Sequence, residues 1–239
     1  MTAGSEFAAA PERPGLGTRW GETRESRVTA AEFRRADAAT PTATASIHYD
    51  DAAGVRAVAR TAQARRTRPV LPRNLAQFIS VELRDGSGRL LPGFNVGDSW
   101  FVVGERGVRY SIVVRNESDA RVEVVLSVDG LDVMDGRPAS FRKRGYIIEP
   151  HAKVSVDGFR QSTAAVAAFR FGTVRESYAN LKYGDTRNVG VIGIAVFEEY
   201  SSAPYSLRES ERRLRGNPWP GQFASPPEQI PYRPPGRRP

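Results

Sequence analysis

The stretch Gly107–Val128, GVRYSIVVRNESDARVEVVLSV, contains the clearest strand signals in the sequence. β-Branched residues dominate Tyr110–Arg115 and Val122–Val128, and polar residues recur near every second position, which is the period of a strand with one buried face. The polar residues 116–119 between them can hydrogen-bond nearby backbone groups and favour a turn. We therefore predict two adjacent antiparallel strands. They need further strands, because an isolated hairpin is only marginally stable in water.

Further strands are predicted on both sides of this pair. Similar patterns occur at 42–49, 76–84, 99–103, 145–149, 153–157, 166–171 and 189–197, and the last of these is apolar enough for the interior of a sheet. Asp-Gly pairs at 85–86, 129–130, 135–136 and 157–158 predict tight turns. Many short strands, with one short helix at 174–181, predict a mainly β fold. We expect an antiparallel β-sandwich or jelly-roll-like domain over residues 76–200.

The residues outside this domain have a different composition. Residues 1–7 end in Gly-Ser-Glu-Phe, which two adjacent cloning sites encode, so they are interpreted as vector-derived. Residues 8–75 predict an extended N-terminal arm with a short strand at 42–49 and a short helix at 52–63. Residues 201–239 are polar and rich in proline, which predicts an extended C-terminal tail.

Charge and cysteine content narrow the possible functions. The chain has a formal net charge of +8 and no cysteine, which excludes disulfides, thiolate metal sites and thiol catalysis. Residues 76–200 carry equal numbers of acidic and basic side chains, so the positive excess lies in the two flanks. Nucleic-acid binding through these basic flanks is therefore an alternative, but we favour a solvated, non-specific role for these charges over a nucleic-acid partner. No stretch of ~20 apolar residues predicts a transmembrane segment.

Catalytic and metal-binding motifs are missing from the sequence. The two histidines have no spacing that suggests a metal site, and the aspartates at 129, 132 and 135 lack the every-second-residue spacing of an EF-hand loop. No phosphate-binding loop, nucleophile elbow or HExxH motif occurs. We predict no catalytic residue, metal or cofactor, and favour a protein that is not an enzyme. A carboxylate-based glycan or ester hydrolase remains an alternative. Its candidate residues are Asp129, Asp132, Asp157 and Glu149.

Aromatic and amide side chains collect in several of the predicted loops. Sugar-binding proteins stack aromatic rings on pyranose faces, while amides hydrogen-bond the hydroxyl groups. Packing of the same rings in the core or at its rim is the competing interpretation. The candidate ligand-binding residues are Trp100, Tyr146, Tyr178, Tyr183, Asn180 and Asn188.

Several motifs between Phe101 and Phe197 form a distinctive set. They include SVDGLDV at 127–133, RGYIIEP at 144–150, DGFRQS at 157–162 and NVGVIGIAVF at 188–197. In these motifs the chain resembles a family of uncharacterised bacterial β-rich proteins, some of which look like envelope lipoproteins. The resemblance implies a bacterial, extracytoplasmic protein. We therefore expect it in the cell envelope, periplasmic or lipid-anchored in the native precursor.

These observations predict a non-enzymatic binding or structural module of the bacterial cell envelope. Its sandwich loops or a sheet edge would be presented to a protein or glycan partner. Pairing through an exposed sheet edge would also give a homo-oligomer. The carboxylate-based hydrolase and nucleic-acid binding remain the two alternatives.

Overall fold

The computed structural model describes residues 13–61, 75, 77–96 and 99–200. The predicted vector-derived residues and the predicted tail lie outside these ranges. The strands are β1 Leu16–Glu25, β2 Ala43–Asp50, β3 Ile79–Asp85, β4 Gly93–Val96, β5 Ser99–Val103, β6 Arg109–Asn116, β7 Val122–Val128, β8 Leu131–Asp132, β9 Tyr146–Ile148, β10 Lys153–Val156, β11 Gly158–Arg160, β12 Ala165–Thr173 and β13 Val191–Glu198. The helices with described bounds are α1 Ala52–Thr61 and α2 Tyr178–Tyr183.

The strands form two packed sheets, which confirms the predicted β-sandwich. The first sheet consists of β1, β3, β6, β10, β11 and β12, and the second of β2, β4, β5, β7, β8, β9 and β13. Among the described strands only β2 and β5 pair in parallel. Inward-facing side chains of both sheets share one hydrophobic core, so residues at the sandwich ends can combine groups from both sheets.

The two strands of Gly107–Val128 do not pair with each other, so the predicted adjacent pair is wrong. β6 pairs with strands of the first sheet, whereas β7 pairs with β13 in the second. Buried Asn116 holds the connecting loop: its Nδ2 donates to the Ile148 carbonyl (3.0 Å), and its Oδ1 accepts from the Ser118 amide (2.9 Å). The expected Asn turn chemistry is present, but it supports a crossover between sheets instead of a hairpin.

The predicted extended lead-in contains a long strand. β1 pairs with β12 from Leu16–Thr173 to Glu25–Ala165 in the first sheet. β2, the strand predicted within the arm, lies between β13 and β5 in the second sheet. The segment 16–50 is therefore part of the sandwich. The glycines of β1 weakened its strand signal; at Gly17 a Cβ would lie 2.7 Å from the Ser177 Cβ, so close packing explains this glycine.

Two of the predicted Asp-Gly turns have different outcomes. Asp129–Gly130 joins β7 to β8 with φ values of 55° and 79°, the left-handed geometry of a tight hairpin turn. At Asp157–Gly158, by contrast, the chain continues from β10, which pairs with β6, into β11, which pairs with β12. Gly158 is required there because a Cβ would collide with the Ala167 carbonyl. The glycine thus reflects close packing and not a turn.

An aromatic stack fills the core between the sheets. The Tyr110 ring centroid lies 4.3 Å from Phe171 and 5.3 Å from Phe169, and Tyr49 of the second sheet lies 5.4 Å from Phe171. All four rings are buried. Burial of one large apolar side chain is worth about 1.5–3 kcal/mol. The stack therefore anchors both sheets and places two tyrosine hydroxyls inside the protein.

Candidate functional site

Two of the predicted ligand-binding rings lie in the interior. Trp100 on β5 is 5% exposed, and its Nε1 donates a hydrogen bond to no described residue. Tyr146 on β9 is buried, and its hydroxyl lies 3.3 Å from the Nε and Nη2 atoms of Arg160, which donate to it. Burial raises the pKa of Tyr146, and Arg160 only partly opposes this effect. Both rings pack within the protein and leave little surface for a ligand.

The structure brings Tyr178 and Tyr183 together on α2, beside the turn at Gly136. The Tyr183 hydroxyl donates to the Gly136 carbonyl oxygen (3.2 Å). Lys182 Nζ donates to the same carbonyl (3.1 Å) and to the Tyr178 hydroxyl (2.6 Å), which raises the pKa of Lys182. The Lys182 ammonium lies 4.9 and 5.3 Å from the centroids of the Tyr178 and Tyr183 rings, within cation–π range. Two rings are thus fixed around one cation.

Trp20 extends this aromatic surface and was not among the predicted binding residues. Its ring centroid lies 4.7 Å from Tyr178 and 6.2 Å from Phe159, to which it is nearly parallel. Phe159 is buried, whereas Trp20 is 41% exposed and Tyr183 is 42% exposed. The available signal was the pair of strand-favouring residues Thr18 and Trp20 at alternate positions. We call Trp20, Phe159, Tyr178, Lys182 and Tyr183 the aromatic cluster.

A β-bulge determines where Trp20 is presented. The register of β1 against β12 shifts between Trp20 and Thr23. Bulges bend a strand, increase its twist and re-aim side chains. At Gly21, inside the bulge, a Cβ would lie 2.6 Å from the Ala168 carbonyl oxygen, so this position requires glycine. Trp20 therefore stands where β1 leaves regular pairing, with a buried ring behind it.

The two predicted asparagines lie in different places, Asn180 on α2 and Asn188 beside Gly130. The side-chain Nδ2 of Asn180 donates to the Arg175 carbonyl (2.8 Å). The backbone amide of Asn180 donates to the side chain of Ser177, the N-cap of α2. Asn188 is exposed and lies against Gly130, where a Cβ would be 2.9 Å from the Asn188 Nδ2. Both the side-chain and the backbone amide of Asn180 thus hold the N-terminal end of α2.

A buried polar network lies between the two sheets. Asp129 Oδ2 accepts from the Thr18 amide (2.7 Å), and Oδ1 accepts from the Gly190 amide (2.9 Å) and the Tyr49 hydroxyl. Thr18 Oγ1 in turn lies 2.7 Å from the Tyr49 hydroxyl and 2.6 Å from the Tyr110 hydroxyl. Burial raises the pKa of Asp129 to about 6, although these hydrogen bonds oppose the shift. The network joins the sheets through one carboxylate.

The carboxylates of the alternative hydrolase have different environments. Asp129 and Asp132 are buried; one Asp132 oxygen accepts from the Met134 amide (2.8 Å), the other has no described partner, and burial raises the pKa of Asp132. Glu149 is exposed after β9, and Asp157 lies between β10 and β11. Substrate could reach Asp129 and Asp132 only if the surrounding loops opened. Among the described residues, no group of three or more His, Asp or Glu side chains could hold a metal ion.

Concave surfaces lie elsewhere on the described part of the chain. A cleft of about 190 Å³ near His48 and Asp50 is below the usual 300–1,000 Å³ of drug-sized ligand pockets. Burial lowers the pKa of His48 and raises that of Asp50. A wider groove of about 460 Å³ lies on the outer face of the second sheet beside Phe141, with a mostly apolar lining of small side chains. The aromatic cluster combines exposed rings with fixed polar groups, which neither surface does.

Comparison of the chain with protein-family models, with curated proteins and with solved structures finds no match. Within the described ranges, no helix has the length and apolarity needed to cross a membrane.

Proposed function

We propose that the protein is a non-enzymatic binding module of the bacterial cell envelope, and that its aromatic cluster binds a glycan. The observation that carries this proposal is the 41% exposure of Trp20, a large ring supported from behind by buried Phe159. A ring that is exposed and yet held in place is suited to stacking on the apolar face of a pyranose, because little conformational entropy is lost on binding.

The polar groups around Trp20 suit hydroxyl-bearing ligands. The Tyr183 hydroxyl, the Lys182 ammonium and the Gly136 carbonyl lie within one hydrogen-bonded group beside the rings. Orientation in such sites comes from a few fixed polar groups next to an apolar surface. The cluster therefore supports recognition by stacking and hydrogen bonding. Placement in the envelope rests on the resemblance of the motif set, and the glycan would then be a component of the envelope.

The test is a glycan-binding measurement on the full chain. We expect a glycan array to give hits that calorimetry reproduces, and Trp20→Ala and Tyr183→Ala to reduce their affinity at least about tenfold, since stacked anchors dominate such sites. The matched control is Tyr200→Ala, because Tyr200 is 49% exposed and its ring packs on Arg34, away from the cluster residues. The proposal would be contradicted if the three substitutions had equal effects, or if no glycan on the array bound the wild-type protein.

A further inference from the structure

The outer face of the first sheet carries three arginines in one row. Arg19 on β1 is paired in register with Arg170 on β12, and Arg170 is paired with Arg109 on β6. Neighbouring strands are about 4.8 Å apart, so the three backbone positions span only about 10 Å. Like charges directly opposite each other destabilise a sheet. The repulsion within a row of three must therefore be offset by neighbouring carboxylates or by an anionic ligand.

Carboxylates neutralise this row only in part. Glu22 accepts from Arg170 Nη2 (2.8 Å) and Arg109 Nη1 (3.3 Å), and the hydrogen bond from Arg170 is the main cause that lowers the pKa of Glu22 to about 2. Glu176 accepts from Arg106 Nη2 (2.9 Å). Four arginines thus share two glutamates, which leaves a local charge of +2. We call Arg19, Arg106, Arg109 and Arg170 the arginine face.

Backbone carbonyls hold the guanidinium groups of Arg170 and Arg109, whereas the Arg19 side chain is held by no hydrogen bond within the described part of the chain. Arg170 Nη1 donates to the Gly107 carbonyl (2.5 Å), and Arg109 Nη2 donates to the Gly86 carbonyl (3.1 Å). The Arg19 side chain donates a hydrogen bond to no described residue; its charge helps to lower the pKa of Glu176, and its stem crosses Gly172, where a Cβ would overlap it. Glycine at position 172 leaves room for the Arg19 side chain to cross the neighbouring strand. Planar guanidinium groups in fixed positions suit bidentate binding of carboxylates.

We propose that the arginine face binds the carboxylates of an acidic polysaccharide, so that the glycan recognised by this protein is anionic. This inference rests on the proposed function in that it names the chemical class of the glycan. Arg19 and Trp20 are consecutive in the edge strand β1 and point to opposite faces of the sheet, so a chain that runs across the sheet along the arginine row and passes over this edge can contact both. Carboxylates spaced along such a chain would match the row of cations.

The probe is an oligogalacturonate, compared with its methyl ester, which has the same sugar and linkage but no charge. We expect the full chain to bind the acid about tenfold more tightly than the ester, with an affinity that falls as salt rises. Arg19→Gln should reduce acid binding about tenfold and leave ester binding unchanged. Because Arg19 makes no described hydrogen bond, this variant tests binding with little risk to the fold.

Two further variants separate local recognition from net charge. Arg115→Gln removes the same charge six residues along β6 from Arg109, about 20 Å away, and should change acid binding less than twofold. Glu22→Gln frees the Arg170 and Arg109 guanidinium groups and should raise acid affinity severalfold, whereas Glu117→Gln, beside Arg115, should not. Equal affinity for acid and ester, equal effects of Arg19→Gln and Arg115→Gln, or equally tight binding of a single-stranded DNA of similar charge would overturn the inference.

The two proposals can fail separately. If Trp20→Ala loses ester binding and the wild type does not prefer the acid, glycan binding by the aromatic cluster is supported and carboxylate binding by the arginine face is contradicted. If acid binding depends on Arg19 but not on Trp20, carboxylate binding by the arginine face is supported and glycan binding by the aromatic cluster is contradicted. Failure of both acid and ester to bind would overturn the arginine face, and the glycan array would then decide the proposed function.

Discussion

The backbone amide of Thr18 on β1 donates a 2.7 Å hydrogen bond to the carboxylate of Asp129, which follows β7 in the opposite sheet. One buried carboxylate thereby links the edge strand that carries Trp20 to the second sheet. The same carboxylate accepts from Tyr49 and Gly190. Buried polar networks of this kind fix one arrangement of a core when every donor is satisfied. Asp129 therefore fixes the position of β1 close to the aromatic cluster.

Asp129 should make stability fall as pH rises from 4 to 7. Its pKa is raised to about 6 in the folded protein, mainly by burial, against about 3.9 in an unfolded chain. Protonated Asp129 contributes on the order of 3 kcal/mol to the free energy of unfolding below pH 4, and this contribution is lost as pH rises through 6. Urea unfolding of wild type and Asp129→Asn at several pH values measures this effect, because asparagine tolerates the positive φ and does not titrate.

Other carboxylates titrate in both proteins, so the difference between their unfolding free energies isolates Asp129. We expect the advantage of wild type over Asp129→Asn to shrink between pH 4 and pH 7. An advantage that is constant or grows over this range would show that Asp129 is ionised throughout.

The buried ion pair of Arg35 and Glu123 gives a second prediction. The Arg35 and Glu123 side chains are 5% and 1% exposed, 2.7 Å apart, and Arg35 also lies 3.6 Å over the Phe197 ring. Burial alone would raise the pKa of Glu123, but hydrogen bonds from Arg35 and the Gly145 amide outweigh it, and the pKa is lowered. Glu123→Leu should cost about 3–5 kcal/mol, because it leaves a buried cation unpaired.

The double variant Arg35→Met/Glu123→Leu should recover most of that loss, since an apolar pair of similar volume is often nearly neutral. Chemical denaturation of the two single variants and the double variant forms the necessary cycle. Additive losses would mean that the two side chains do not depend on each other.

Trp100 should tolerate loss of its ring nitrogen. The Nε1 group is buried and donates to no described residue, and such an unsatisfied donor costs about 1–3 kcal/mol. Trp100→Phe removes this cost but leaves a small cavity, so the unfolding free energy should change by less than about 1 kcal/mol. Trp100→Ala should cost about 3–5 kcal/mol through its larger cavity. A large loss in the phenylalanine variant would indicate that the nitrogen has a partner in solution.

Gly136 and Gly184 provide a matched pair for the aromatic cluster. Both have left-handed φ values, 62° and 65°, so alanine at either should cost about 1 kcal/mol of stability. A Cβ at Gly136 would lie 2.9 Å from the Tyr178 hydroxyl, whereas a Cβ at Gly184 would contact nothing. Gly136→Ala should therefore weaken glycan binding severalfold, and Gly184→Ala should not. Thermal unfolding and calorimetric titration of both variants check this, and equal binding losses would contradict the contact.

The sequence predicted the strands better than their partners. Period-2 patterns identified β6 and β7, and the Asp129–Gly130 turn was confirmed in the structure. The pairing was wrong because the same inward alternation fits either sheet of a sandwich, and the hydrogen bonds of the connecting loop, including those of Asn116, hold the chain in its crossover. Local patterns cannot encode such long-range choices.

The candidate site was foreseen in part. Tyr178 and Tyr183 were predicted as binding residues and are brought together, but Trp100 and Tyr146 share their residue type and are buried. Trp100 and Tyr146 face inward on β5 and β9, whereas Tyr178 and Tyr183 lie on α2, a difference that composition does not record. Trp20 was missed because residues 8–75 were predicted as an extended arm, whereas Gly17 and Gly21 in fact permit close packing of a strand.

Tryptophan fluorescence offers the most direct test that Trp20 contacts the ligand. The chain has three tryptophans, so Trp100→Phe combined with Trp219→Phe leaves Trp20 as the sole emitter. Emission from the 41% exposed ring should shift to the blue and saturate with the glycan concentration that calorimetry reports. Glycan that binds by calorimetry without any change in Trp20 emission would contradict the proposed site.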